Sequence, residues 1–298
     1  MPASDVAGLL ARCAFPPAGT EVVCAVSGGA DSAALLVLAV AAGCKAVAVH
    51  VDHGLRADSA READLVADLA SRLGAGFRAE RIELDDGPNL EARARAARYR
   101  VLPTDVLTGH TADDRAETVL INLLRGAGVD GLAGMRPSAR RPILGLRRSE
   151  TRAVCAEAGI TVVDDPSNQD RRFLRNRVRH ELLPLLAQLS GRDPVPVLCR
   201  QADHLRDVSE LLVDLADAVD PADARQLTAQ PRPVATVAVR EWLRAFEHDR
   251  HPPDSASVER VLAVARGERR ATEVVGGVRV SRSGGRLRRD ATGRTTTS

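Results

Sequence analysis

A short apolar run, Val22 to Val26, stops at Ser27-Gly28-Gly29, and the chain resumes as an Ala/Leu-rich stretch through about Ala42. A run of that length bounded by glycines predicts a buried strand, a tight turn and then a helix. The pattern repeats downstream. Ala46 to Val51 reads as a second strand, Ser59 to Gly74 as a helix and Phe77 to Leu84 as a third strand. Asn89 can cap a helix over Leu90 to Arg100, Pro103 interrupts the chain, and Asp105 to Thr108 reads as a fourth strand leading into a helix that ends near Leu124. This alternation predicts an α/β fold, a doubly wound and mostly parallel sheet with helices on both faces. Right-handed crossovers would bring the strand-end loops 27–32, 50–56 and 109–114 to one edge.

Beyond Leu124 the periodicity weakens. Four glycines between Gly126 and Gly134 predict a loop suited to contacting a substrate, with Arg125 and Asp130 as its charges. A helix over Ser149 to Ala158 would take Ser149 as its cap. Pro194 and Pro196 suggest a linker, followed by a helix from about Leu198 to Val219. Trp242 and Phe246 lie four apart in an amphipathic stretch, a spacing that favours a core. Val258 to Arg266 reads as a helix, and Val274 to Val280 with Ser281 to Arg289 as a small basic hairpin. The expected organisation is a catalytic domain over 1–195, a linker helix over 196–220 and a small, mainly helical domain over 221–298.

The chemistry gathers on the predicted loops. Ser27, Gly28, Gly29, Ala30, Asp31 and Ser32 link a strand end to a helix N-terminus, where unpaired N–H groups and the positive dipole end attract anions. The spacing and lysine of a Walker A loop are missing, and a plain strand-to-helix turn is the competing reading. Val51 and His53 lie where polar groups at strand ends face a ligand crevice. The third turn carries His110, Asp113 and Asp114, with Glu117 on the same helix face as Asp113. Carboxylates beside a strand end can hold Mg²⁺ together with substrate phosphates, although an acidic first turn also complements the helix dipole.

Charge adds a second theme. Residues 136–190 hold 11 Lys+Arg against 6 Asp+Glu and residues 266–298 hold 9 against 3, while residues 1–135 and 191–265 are net acidic. Alternating blocks of this kind suit a polyanion that touches the chain twice, or equally two solvated faces. Within the first block, Arg171 to His180 combines five arginines with Phe173 and Asn176, a composition fit for phosphate contacts and base stacking. Salt bridges to Asp164, Asp165 or Asp170 are the competing use of Arg175 and Arg177. Five scattered cysteines form no C-x-x-C pair, which argues against a disulfide framework or a metal–sulfur site. No apolar run reaches membrane-spanning length and no leader pattern opens the chain, so a cytoplasmic protein, monomeric or homodimeric, is expected.

Ser27-Gly-Gly-Ala-Asp-Ser32 resembles the ATP loop of the N-type ATP pyrophosphatases, the PP-loop superfamily, whose members cleave ATP between the α and β phosphates. Five further blocks make the chain similar to the tRNA(Ile)-lysidine synthetase family. They are Val51-Asp-His-Gly-Leu-Arg56, Asn89 to Arg95 with Tyr99, Gly109 to Thr118, Leu124 to Gly128 with Asp130-Gly-Leu, and Asp164 to Asn168 with Phe173 and Arg175-Asn-Arg177. Many members carry His-His where this chain has His110-Thr111, and Gln where it has Arg115. The resemblance implies ATP and Mg²⁺, free L-lysine and a CAU-anticodon tRNA(Ile) whose wobble cytidine is adenylated and then converted to lysidine. It further implies Ser27 to Ser32, Val51 and His53 at the nucleotide, Asp31 on Mg²⁺, and His110, Asp113 and Asp114 beside the leaving pyrophosphate. Asp130 would meet the lysine ammonium, Arg125 the adenylated base, and Arg175, Asn176, Arg177 and Arg179 the tRNA. A tRNA thiolase, a small-molecule amidating synthetase and a non-catalytic RNA adaptor are the rival readings.

Overall fold

The protein is described by a computed structural model over residues 6–52, 59–82, 93, 97, 100–163, 169–245, 253–274 and 277–291. His53 with the rest of loop 53–56, Asn89 and most of the helix expected after it, the turn Asp164 to Asn168, and Phe246 lie outside the described residues. The chain divides after Asp203 into two compact units.

In the first unit three strands, β1 (Glu21–Ala25), β2 (Lys45–Asp52) and β3 (Gly76–Arg81), form a parallel sheet in the order β1-β2-β3. The expected fourth strand contracts to a single parallel bridge between Leu107 and Cys24, on the side of β1 away from β2. Its neighbours are drawn elsewhere: the Val106 amide donates to the Pro103 carbonyl and the Thr108 amide to the Arg140 carbonyl. The chain therefore moves from β1 toward β3 on one side and returns on the other. β1 is thus the strand at which the winding direction switches, the position where open α/β sheets hold their ligands.

Helix α1 (Ala30–Ala41) follows β1 and is apolar nearly all round, as a helix enclosed on several sides must be. Leu35, Leu36 and Leu38 are fully buried together with Cys24, Ala48, Ile143 and Leu146. Helix α2 (Arg148–Glu157) packs on α1 and adds Val154 and Cys155 to that core. Helix α3 (Ala112–Leu124) buries Ala116 and Leu120 in a separate cluster with Val178, Leu183 and Val195.

Two expectations about helix starts change. Arg147, not Ser149, occupies the N-cap of α2, and its amide donates to the Glu150 carboxylate at 2.7 Å. Pro194 and Pro196 stand in the first turn of the helix Pro194–Asp217, where a missing N–H costs little, and the Asp193 carboxylate accepts from the Val195 amide.

The second unit has its own core, with Leu227, Val239, Leu243, Val261 and Val280 at its centre. Helices Ala224–Ala229, Arg232–Arg244 and Ser255–Arg266 accompany an antiparallel sheet of three strands, Ala271–Val274, Val278–Ser283 and Arg286–Ala291. The sharp turn falls at Gly284-Gly285, both at positive φ (59° and 77°), where two glycines permit a tight hairpin. Trp242 packs against this core, as its spacing predicted. Among the described residues no helix is long and apolar enough to cross a membrane.

Candidate active site

Two turns meet at the C-terminal end of β1. In the first, Gly28 adopts φ 86°, and its carbonyl accepts from the Val163 amide. The Ser32 hydroxyl braces the loop from inside: it accepts from the Ser27 amide at 3.1 Å and donates to the Gly29 carbonyl at 2.9 Å. No side chain caps α1 at Gly29, and Asp31 is the acidic residue of its first turn.

The second turn lies directly against the first. A Cβ placed on Gly109 would fall 2.6 Å from the Asp31 carbonyl oxygen and 3.0 Å from the Ser32 nitrogen. Only glycine lets these two backbones approach so closely. Thr111 caps α3 and closes a reciprocal capping box with Asp114. Position 111, where the sequence departs from the family it resembles, is therefore the fully buried structural start of the helix.

His110 is oriented by Thr108. The Thr108 hydroxyl donates to the Arg140 carbonyl at 3.0 Å and lies 2.8 Å from His110 Nδ1. The hydroxyl thus links the imidazole to the backbone at Arg140.

The carboxylates are organised by an arginine the sequence did not mark. Arg148 opens α2 and directs each guanidinium nitrogen at a different acid: Nε at Asp31 (3.2 Å), Nη1 at Glu117 (3.0 Å) and Nη2 at Asp114 (2.9 Å). It thereby ties the first turn to the second. Asp113 holds the same helix start by accepting from the Arg148 amide at 2.9 Å and from Arg147 Nε at 3.0 Å. Arg147 also pairs with Asp193, and Thr151 donates to Asp31. Cations at a helix N-terminus oppose the dipole, so Arg147 and Arg148 need these acids around them.

Glu117 is completely buried and accepts from three arginines, Arg148, Arg175 (3.0 Å) and Arg179 (2.7 Å). A carboxylate withdrawn from water in this way requires such pairing. Arg175 and Arg179 thus gather on Glu117, while Asp164 and Asp165, two of the partners considered for Arg175, lie outside the described residues. Arg177 faces Glu181 at 3.5 Å on the exposed side of its helix. Asn176 is buried and donates from Nδ2 to the Asp170 carbonyl at 2.9 Å. Asp130 accepts from Arg136 at 3.2 Å near the surface, Arg125 is exposed at the end of α3, and Val51 is half-buried near the end of β2.

These surroundings divide the acids. Burial pushes the Asp31 carboxyl above 3.8 against the opposing pull of Thr151 and Arg148. Burial acts in the same direction on Asp113, but hydrogen bonds from Arg147 and the Arg148 amide outweigh it and hold the group below 3.8. Asp114 is likewise held low, against its burial, by the Arg148 charge and the Thr111 amide. Asp31 is the carboxylate on the phosphate turn itself. A Mg²⁺ ion bound there would have to share this carboxylate with Arg148 and Thr151.

Residues 4–186 match the family described as the PP-loop domain. The chain is 45% identical over 237 residues to the tRNA(Ile)-lysidine synthase of Mycolicibacterium paratuberculosis, spanning 74% of this chain and 73% of that protein. It is 42% identical to the same enzyme of Rhodococcus erythropolis, spanning 77% and 75%. Among solved structures it is similar to the U34-tRNA thiolase NcsA of Methanococcus maripaludis, with a TM-score of 0.56 and 14% identity over 68% of this chain and 78% of that one. The last likeness shows the shared fold alone. With phosphate turn, histidine turn and the long match to curated relatives in agreement, the chain belongs to the tRNA(Ile)-lysidine synthase family, within the PP-loop ATP-binding proteins.

Proposed function

We propose that the protein joins the ε-amine of free L-lysine to C2 of the wobble cytidine in a CAU-anticodon tRNA(Ile), through an adenylated base, in the cytoplasm. The observation that carries this reading is the backbone approach of Gly109 to Asp31, which sets an uncapped helix N-terminus beside His110 at the switch point of the sheet. In the first step the C2 oxygen attacks the α-phosphorus of ATP, and the bond from that phosphorus to the α,β-bridging oxygen breaks to release pyrophosphate. In the second step the amine attacks C2, loses a proton, and AMP departs with the former C2 oxygen. Adenylation is needed because an oxygen on an aromatic ring is otherwise a poor leaving group.

Ser27 to Ser32 present backbone N–H groups to the phosphates, with Val51 and His53 beside the nucleotide. Asp31 would hold Mg²⁺, which when bound offsets charge on the phosphates. His110 and Asp114 stand beside the departing pyrophosphate, with the His110 imidazole in a place to accept or return a proton. Asp113 contributes by fixing Arg147 and Arg148. Asp130 offers the lysine ammonium a carboxylate in exchange for Arg136, and Arg125 faces the adenylated base. Arg175, Arg177 and Arg179 supply positive charge toward tRNA, while Asn176 braces their segment.

Mass analysis of tRNA nucleosides after incubation with ATP, Mg²⁺ and lysine tests this function. The expected result is a lysine adduct on cytidine that requires all three. Tight tRNA binding with no adduct would instead favour a non-catalytic adaptor.

A further inference from the structure

Four aromatic side chains fall among the residues whose side chains are described. Phe15 and Phe77 pack against the core of the first unit, and Trp242 packs against that of the second. Phe173 is the exception, at 39% exposure, with Leu174 beside it at 37%. Its ring stands in an arginine-rich segment, with Arg171 and Arg172 before it and Arg175 and Arg177 after it.

The backbone beneath the ring is held firmly. The Asp170 carbonyl accepts from the Phe173 amide at 3.2 Å and from buried Asn176 Nδ2 at 2.9 Å. The Asp170 carboxylate accepts from the Arg172 amide at 2.9 Å and from Arg172 Nη2 at 2.7 Å. The Phe173 carbonyl accepts from the Asn176 and Arg177 amides, which begins the next helical turn. Two residues along, Arg175 reaches Glu117 at 3.0 Å and the Thr118 hydroxyl at 3.1 Å. The ring is therefore presented on a braced turn at the rim of the carboxylate–arginine cluster, with the exposed guanidinium of Arg172 next to it.

We propose that Phe173 is a stacking platform for an unpaired base of the tRNA anticodon loop, holding that loop while the neighbouring wobble cytidine enters the site. This inference rests on the function proposed above. Single-stranded RNA is bound by aromatic faces flanked by cations, because every base offers a π-face and every nucleotide a phosphate. Asn176, which the sequence suggested as a tRNA contact, acts one step back by bracing the turn that carries the ring.

The test is equilibrium binding of a CAU anticodon stem–loop to the full chain, with ATP binding measured in parallel. Phe173→Ala should weaken stem–loop binding roughly 10- to 100-fold, the range that one base–aromatic stack supplies. Phe173→Tyr and Phe173→Trp should restore it, Phe173→Leu should not, and ATP affinity should stay unchanged in all four variants. If Phe173→Leu restored binding, apolar packing rather than stacking would be at work and the inference would be overturned. A loss of ATP affinity instead would assign the ring to adenine and overturn it as well. Unchanged stem–loop binding in Phe173→Ala would overturn this inference alone, whereas a wild-type chain that did not bind the stem–loop would overturn the reading beneath it.

Discussion

Arg148 carries more of the site's geometry than any residue legible in the sequence. Its three guanidinium nitrogens meet three carboxylates drawn from two turns, Asp31 on one side and Asp114 and Glu117 on the other. The acids at this site therefore respond differently to pH. Asp113 and Asp114, held below 3.8, contribute stability that is fully present above 3.8 and is lost as pH falls through their lower folded values. Asp31, held above 3.8, has the opposite sign: its contribution is fully present below 3.8 and is lost as pH rises through its higher folded value. Urea unfolding measured across the acid range should show the stability of Asp114→Asn falling less steeply below pH 3.8 than that of the wild type. Parallel curves for the two would contradict the assignment of Asp114 to the Arg148 cluster. Asp113, Asp114, Glu117 and His110 were legible as a group because they crowd one short stretch, Gly109 to Thr118. Arg148 was not, since its partners lie 31 to 117 residues away in sequence. One signal was available: two arginines at the start of a helix oppose its dipole and must be held by acids from elsewhere.

At the scale of elements, the site is a meeting of two turns, and glycine permits the meeting. Replacing Gly109 with alanine would set a methyl group 2.6 Å from the Asp31 carbonyl oxygen, a backbone atom with little freedom to withdraw. Gly109→Ala should lower the rate of tRNA-dependent pyrophosphate release by roughly 100-fold, the scale of an ångström-sized misplacement of reacting groups. Unfolding by circular dichroism should show the variant still folded, and an unchanged release rate would show that the contact is incidental to catalysis. The strand–turn–helix order around Ser27 could be read directly, because an apolar run, two glycines and an Ala/Leu stretch have no other simple arrangement. The strand at 105–108 could not, because hydrogen bonds to Pro103 and Arg140 leave Leu107 as its one paired residue. The Ala271–Val274 strand was equally hard to see: four residues give too short an alternation to read.

For the whole molecule, the PP-loop match ends at residue 186, well before the second unit begins at His204. The chemistry proposed here belongs to the first unit. The rival reading as a thiolase shares its fold but asks for reactive sulfur. All five cysteines are unpaired; burial pushes Cys24 up to about 12, and Cys13 and Cys155 up to about 11, so these three are poor thiolates at neutral pH. The central claim is that the two turns deliver the α-phosphorus of ATP to a base. The most direct test follows ATP labelled at that phosphorus, mixed with CAU-anticodon tRNA(Ile) and no lysine. The account predicts label held on the tRNA, discharged as AMP when lysine is added, and no label with Asp31→Ala although that variant still binds tRNA. Lysine incorporation without α-label ever joining the tRNA, or joining of the γ-label instead, would contradict it.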